Sequence, residues 1–240
     1  ASFLKMASVI VLFLPLGIWA FIAIFCKELQ ETGFAPYKSL FLYFSVVVLA
    51  NLIQGLVVLP LLLKAHGFSP TKIFKGMLSA ISLAFFSKSS SATLPVTMRC
   101  LRENLGVNEK VSSFSLPLCT TVNMNACAAF IFTTVIFVSM SAGHVFSIGQ
   151  MLLWVFIATL AAIGNAGVPM GCYFLAGALL SGQGVPLELL GMILPLYALL
   201  DMLETAINVW SDACVTLVVA KEVEKASPST PPLNAITSNS

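Results

Sequence analysis

Charge is what this sequence has least of. Only 9% of its 240 residues are Asp, Glu, Lys or Arg, against about 25% in an ordinary soluble domain. That deficit excludes a water-soluble fold, because too few ionic side chains remain to cover a solvated surface. Histidine is scarcer still: His66 and His144 both lie at predicted segment ends and match no metal or nucleophile pattern. The six cysteines, Cys26, Cys100, Cys119, Cys127, Cys172 and Cys214, contain no C-x-x-C pair. They read as small apolar packing residues. A net charge of +2 leaves no basic surplus, so no nucleic-acid partner is expected. No basic leader with a small-residue cleavage site precedes the first apolar segment, so no signal peptide is expected. The missing initiating Met points to a truncated or processed chain with domains upstream.

What fills the chain instead is hydrocarbon. Hydrophobic residues make up 58% of it, and the mean hydropathy is +0.98. Runs long enough to cross a hydrocarbon core, which takes about 20 residues, recur throughout. The expectation is an all-α polytopic membrane protein with spans at about 6–26, 40–63, 112–140 and 189–220. From residue 223 to 240 the chain turns rich in Ser, Thr, Pro and Asn, a composition that reads as a disordered, solvated tail.

After the first two segments, polar or Gly/Pro-rich knots interrupt the apolar runs. They are Ser89-Ser90-Ser91-Ala92-Thr93-Leu94-Pro95, Asn123-Met124-Asn125-Ala126-Cys127 and Gly164-Asn165-Ala166-Gly167-Val168-Pro169-Met170-Gly171. Broken backbone at membrane depth survives only where it lines protein or a wet cavity, and paired interruptions point to a transporter binding site. The flanks of the first and third knots are too short to cross alone. They predict re-entrant helical hairpins at about 71–105 and 148–182, and the middle knot predicts a broken helix. Lys64, Lys72, Lys75, Arg99, Arg102, Lys110, Lys221 and Lys225 cluster on one predicted side, whereas the loops 141–150 and 181–188 contain no Lys or Arg. By the positive-inside rule the C-terminus is cytoplasmic, and the two hairpins enter from opposite sides of a plasma or bacterial inner membrane.

The last span carries Asp201, Glu204, Asn208 and Asp212, spaced three, four and four residues apart, which places them on one helical face. Each carboxylate at the bilayer centre costs roughly 2.5 to 3.5 kcal/mol on insertion scales. Lys88 alone cannot neutralise them. Bound cations, protons or a substrate ammonium must contribute. Thr121, Asn123, Asn208, Asp212 and freed carbonyls form an oxygen-rich, thiol-poor shell that suits sodium, although Asp201 and Glu204 could instead share a proton.

At these residues the sequence resembles the dicarboxylate/amino acid:cation symporters, the family of glutamate and neutral amino-acid transporters. The segment SSSATLPVTMR at Ser89–Arg99 is similar to the family's first hairpin tip, Asn123-Met124-Asn125 to its NMD motif, Gly164–Pro169 to its second tip, and Asp201–Asp212 to its final substrate and sodium helix. The resemblance implies an elevator-type transport domain over residues 1–222. It also implies a homotrimer once scaffold spans, absent from this sequence, are supplied. Ser89, Ser90, Gly167, Val168, Asp201, Thr205 and Asn208 would contact an amino acid or dicarboxylate. One sodium site would comprise the Cys119 carbonyl, Asn123, Asn208 and Asp212; another would comprise Thr121, Met124, Ala162, Ile163 and Asn165.

Departures from the family pattern carry weight. The NMD aspartate is Asn125, which removes a charge from a further cation site. The arginine that acidic-substrate members use is replaced by Glu204, and its assisting threonine by Cys127. Glu204 paired with Lys88 would leave that subsite nearly neutral. The expectation is sodium-coupled, or proton-coupled, symport of neutral or cationic amino acids rather than acidic ones. The alternative is a truncated or degenerate homologue that binds but does not transport. An intramembrane serine enzyme is disfavoured, since neither histidine falls in a knot to serve as base.

Overall fold

The computed structural model describes residues 37–164, 168 and 170–226, with isolated positions at 16, 19, 20, 23 and 27. The expected first span and most of the expected tail lie outside the described residues. The described residues form helices and connecting turns, with no strand among them. Three continuous stretches, 38–65, 109–141 and 188–226, are long and apolar enough to cross a membrane.

Helix α1 (Tyr37–Ile53) runs through a π turn (Gln54–Val58) into α2 (Leu59–Ala65). Proline causes the irregularity. A π turn sends each N–H five residues back, as Leu59 does to the Gln54 carbonyl. Pro60 has no N–H to send to Gly55, so that carbonyl is left over, and the buried Trp210 indole donates to it at 3.1 Å.

Helices α3 (Pro70–Ser87) and α4 (Ser90–Glu103) fold back on each other. Their antiparallel register is fixed by the Ser87–Thr93 and Ser79–Cys100 side-chain bonds and by Asn104 donating to the Gly76 carbonyl. With 14 residues, α4 is about 21 Å long, short of a hydrocarbon core of about 30 Å. The expected 112–140 span is two helices, α5 (Glu109–Val122) and α6 (Asn125–Ser141), separated where Asn123 and Met124 leave helical geometry at ψ 53 and 52. Next come α7 (Ile148–Gly164) and α8 (Gly171–Gly182), both against α6.

The last helix, α9 (Glu188–Ala226), has 39 residues. It continues past the expected end at 220 and into the expected tail, because no Gly or Pro intervenes before residue 227 and Glu222 pairs with Lys225 at 2.6 Å. It packs against α1 through α6 and α8, and residues 204–214 are buried all the way round. Two apolar cores share it. Leu190, Ile193, Tyr197 and Leu200 join a cluster with α1, α6, α7 and α8. Val209, Trp210, Ala213 and Leu217 join one with α2 to α5. The outer surface remains greasy, with Phe41, Phe86, Phe114 and Phe156 all more than half exposed, as a lipid-facing wall requires.

Trp210 fills the second core and bonds the Gly55 carbonyl, so Trp210→Ala should lower stability by about 3–5 kcal/mol. Trp210→Phe keeps the ring but orphans the Gly55 carbonyl, and should cost about 1–3 kcal/mol. The order of thermal midpoints in detergent, wild type above Phe above Ala, checks this.

Candidate functional site

Between the two apolar cores, at the level of Asp201 to Asn208, the chain leaves a cavity of about 80 Å³. The α3–α4 turn contributes Lys88, Ser89, Ser90 and Ser91 to its wall, and the α5–α6 break contributes Thr120, Met124 and Cys127. The α7–α8 connection and the start of α8 add Val168, Met170, Gly171 and Cys172, and α9 adds Tyr197, Asp201, Thr205 and Asn208.

Local physics explains the wall. Ser89 caps α4, accepting from the Ala92 N–H at 3.2 Å in an extended conformation, so that helix begins at the cavity. A helix start offers unpaired N–H groups and partial positive charge, which favour an anion. Lys88 and Met170 adopt left-handed backbone at φ 53 and 55, the only non-glycine residues among those described to do so. Such conformations cost of order 1 kcal/mol or more and gather at functional sites. Both residues lie in this wall.

The half-buried Asp201 supplies the opposite charge. One wall therefore carries a lysine, three serines and a helix start, and α9 carries a carboxylate. That arrangement suits a zwitterion.

Beside the cavity lies a second polar cluster. Asn125 Nδ2 donates to Ser211 Oγ at 2.6 Å. Asn123 Nδ2 donates to Ser211 Oγ at 2.9 Å and to Asp212 Oδ1 at 3.0 Å. The remaining oxygens, Asp212 Oδ2 and Asn125 Oδ1, are buried and have no hydrogen-bond partner among the described residues. Hard, unmatched oxygens in a low-dielectric setting fit a small hard cation such as sodium. Asn208 joins cavity to cluster: its Oδ1 accepts from the Ala126 N–H at 3.0 Å, and its Nδ2 donates to Cys127 Sγ at 3.2 Å.

Of the expected substrate residues, Ser89, Ser90, Cys127, Val168, Asp201, Thr205 and Asn208 all line the cavity. Gly167 lies outside the described residues. Glu204 does not line it. It is 1% exposed, with its carboxylate within 4.8 Å of the Cys127 and Cys172 sulfurs, so it lies directly behind those two wall residues. The expected pairing of Glu204 with Lys88 is not formed: neither Glu204 oxygen has a hydrogen-bond partner among the described residues, and Lys88 lines the cavity with Asp201. The short helical step from 201 to 204 turns Glu204 inward.

Of the expected cation ligands, Asn123 and Asn125 both donate to Ser211, and Asn123 also donates to Asp212. The Cys119 carbonyl already accepts the Asn123 N–H at 2.8 Å. Thr121 is exposed and donates to the Pro117 carbonyl. Ala162 and Ile163 end α7, and no side-chain hydrogen bond among the described residues joins them to Thr121 or Met124. Asn165 lies outside the described residues.

Sequence reasoning missed Ser211, Tyr197 and Cys172. Two were findable by spacing, since Ser211 lies three residues beyond Asn208 and Tyr197 four before Asp201. Nothing local pairs Cys172 with Cys127.

A family model described as the Sodium:dicarboxylate symporter family matches residues 1–222. The chain belongs to this family. It is 34% identical to Excitatory amino acid transporter 3 of Mus musculus over 92% of this chain and 42% of that protein, and it matches the Homo sapiens counterpart over the same shares. Excitatory amino acid transporter 1 of Bos taurus is 33% identical over 88% of this chain and 39% of its own length. The chain thus spans less than half the length of these curated relatives. Membership accords with the apolar, all-helical architecture of a membrane protein.

If the Asp212–Asn125 cluster holds sodium, exchanging choline for saturating sodium should stabilise the protein by about 2.7 kcal/mol at a hundredfold excess over Kd. Asp212→Asn should abolish most of that sodium-dependent rise, read as the difference in thermal midpoint between the two salts.

Proposed function

We propose that the chain is the transport core of a sodium-coupled amino-acid symporter of the membrane. The observation that carries this is the adjacency of a cavity built for a zwitterion and a cluster of unmatched oxygens built for a cation, with Asn208 shared between them. Substrate and cation that meet through one side chain stabilise each other's sites, and reciprocal coupling of that kind is what symport requires. Asp201 holds the ammonium, and Ser89, Ser90 and the start of α4 hold the carboxylate. Sodium is a co-substrate here and not a resident cofactor; a proton can take its place at the carboxylates.

The hairpin of α3 and α4 and the segment from α7 to α8 act as gates from opposite membrane faces, with the C-terminus in the cytoplasm. The core moves against a scaffold that this sequence does not contain, in a trimer, within the lipid bilayer. The family is one of transporters, and no enzymatic step is proposed.

For the side chain of the substrate, Glu204 favours a neutral or cationic amino acid. An anionic side chain entering past Cys127 and Cys172 would approach a buried carboxylate with which no Lys or Arg among the described residues pairs, and like charges in low dielectric repel strongly. A second reading, an acidic substrate, is favoured by the relatives, whose names specify excitatory amino acid transport.

Isothermal binding of neutral, basic and acidic amino acids, in sodium and in choline, separates these readings. Sodium-dependent binding of a neutral or basic amino acid supports the first; preferential binding of an acidic one establishes the second. Glu204→Arg should shift preference toward acidic amino acids. No binding in either salt leaves a degenerate homologue.

A further inference from the structure

Cys127 on α6, Cys172 on α8 and Glu204 on α9 bring two sulfurs and a carboxylate oxygen within 4.8 Å of one another. The three side chains are 5%, 4% and 1% exposed. We propose that they form a binding site for a thiophilic divalent cation of the zinc and cadmium class.

Four features support the assignment. The Glu204 carboxylate is buried with both oxygens unmatched among the described residues, a costly state unless a cation or proton satisfies it. Two thiols beside it make the donor set soft, which selects zinc or cadmium over sodium, magnesium or calcium. Cys127 and Cys172 also line the cavity, which gives a metal a path to them. Asn208 Nδ2 donates to Cys127 Sγ at 3.2 Å, the kind of outer bond that orients a metal ligand.

Binding is coordination without redox. The metal forms bonds to both sulfurs and to the carboxylate, and the two thiol protons, together with the carboxyl proton where Glu204 holds one, pass to water. Dication, two thiolates and a carboxylate leave the site with a single negative charge. Lys88 in the same wall balances it in part. The ion would tie α6, α8 and α9 together across the cavity. The site shares Cys127 and Glu204 with the proposed substrate subsite, but its occupancy is measured without substrate, so the two readings fail independently.

Cd²⁺ titrated into the purified full chain in detergent should bind once per chain. Near-ultraviolet thiolate-to-cadmium absorption and release of at least two protons should accompany it, and Mg²⁺ should produce neither. Cys172→Ser, which removes a soft ligand, should weaken Cd²⁺ binding by about 100-fold. Since that variant can fail to fold, a second measurement uses the unaltered protein. Cd²⁺ should slow alkylation of Cys127 and Cys172, mapped by mass spectrometry, while leaving Cys100, Cys119 and Cys214 unchanged. Absence of thiolate absorption, unchanged affinity in a folded Cys172→Ser, or protection mapped to other cysteines overturns the proposal.

Discussion

Everything in this structure answers to one constraint: α9 carries ionisable and amide side chains through the middle of an apolar body. Glu204, Asn208, Ser211 and Asp212 are each 1% exposed, and burying a carboxylate without a partner costs several kcal/mol. Protein groups meet part of the demand, through Asn123 and Asn125 to Ser211 and Asp212 and through Asn208 to the Ala126 N–H. They do not meet it all. The unmatched oxygens of Asp212, Asn125 and Glu204 are where ligands stabilise the fold and where the fold selects ligands.

The broken backbone follows from the same need. A continuous helix keeps its N–H and C=O groups to itself, so polar side chains at mid-depth can find backbone partners only where neighbouring helices end. The α5–α6 break presents the Ala126 N–H to Asn208, the α3–α4 turn presents the start of α4 to the cavity, and the π turn at Pro60 yields the Gly55 carbonyl to Trp210. Left-handed backbone at Lys88 and Met170 is the local strain that such endings require. The two apolar cores hold these ends in place, since none of these interruptions has a regular helix to fix it.

Much of the architecture was legible because it depends on local properties. Hydropathy marked the stretches that form α1, α2 and α9, and the serine and asparagine knots marked where helices stop. The i, i+3, i+4 spacing marked the polar face of α9. Less legible were irregularities with a distributed cause. The π turn needed both Pro60 and a distant indole donor. The extension of α9 to Ala226 turned on the absence of a stop signal combined with surface pairing by Glu222 and Lys225, in a stretch whose composition suggested a tail.

Hydropathy and periodicity alone disclosed an all-helical membrane protein and the side chains that share the charged face of its last helix, and the order of four motifs disclosed its resemblance to the symporters. Periodicity and hydropathy are properties of single segments, so no tertiary knowledge was required. Only the tertiary structure decided which polar groups satisfy one another. It bonded Asn123 and Asn125 to Ser211, put Lys88 and Asp201 in the wall of one cavity with Glu204 behind it, and placed Cys172 beside Cys127. Partnership across helices depends on how far each is rotated about its axis. That rotation is fixed by the fit of both apolar cores around α9, and no single segment encodes it.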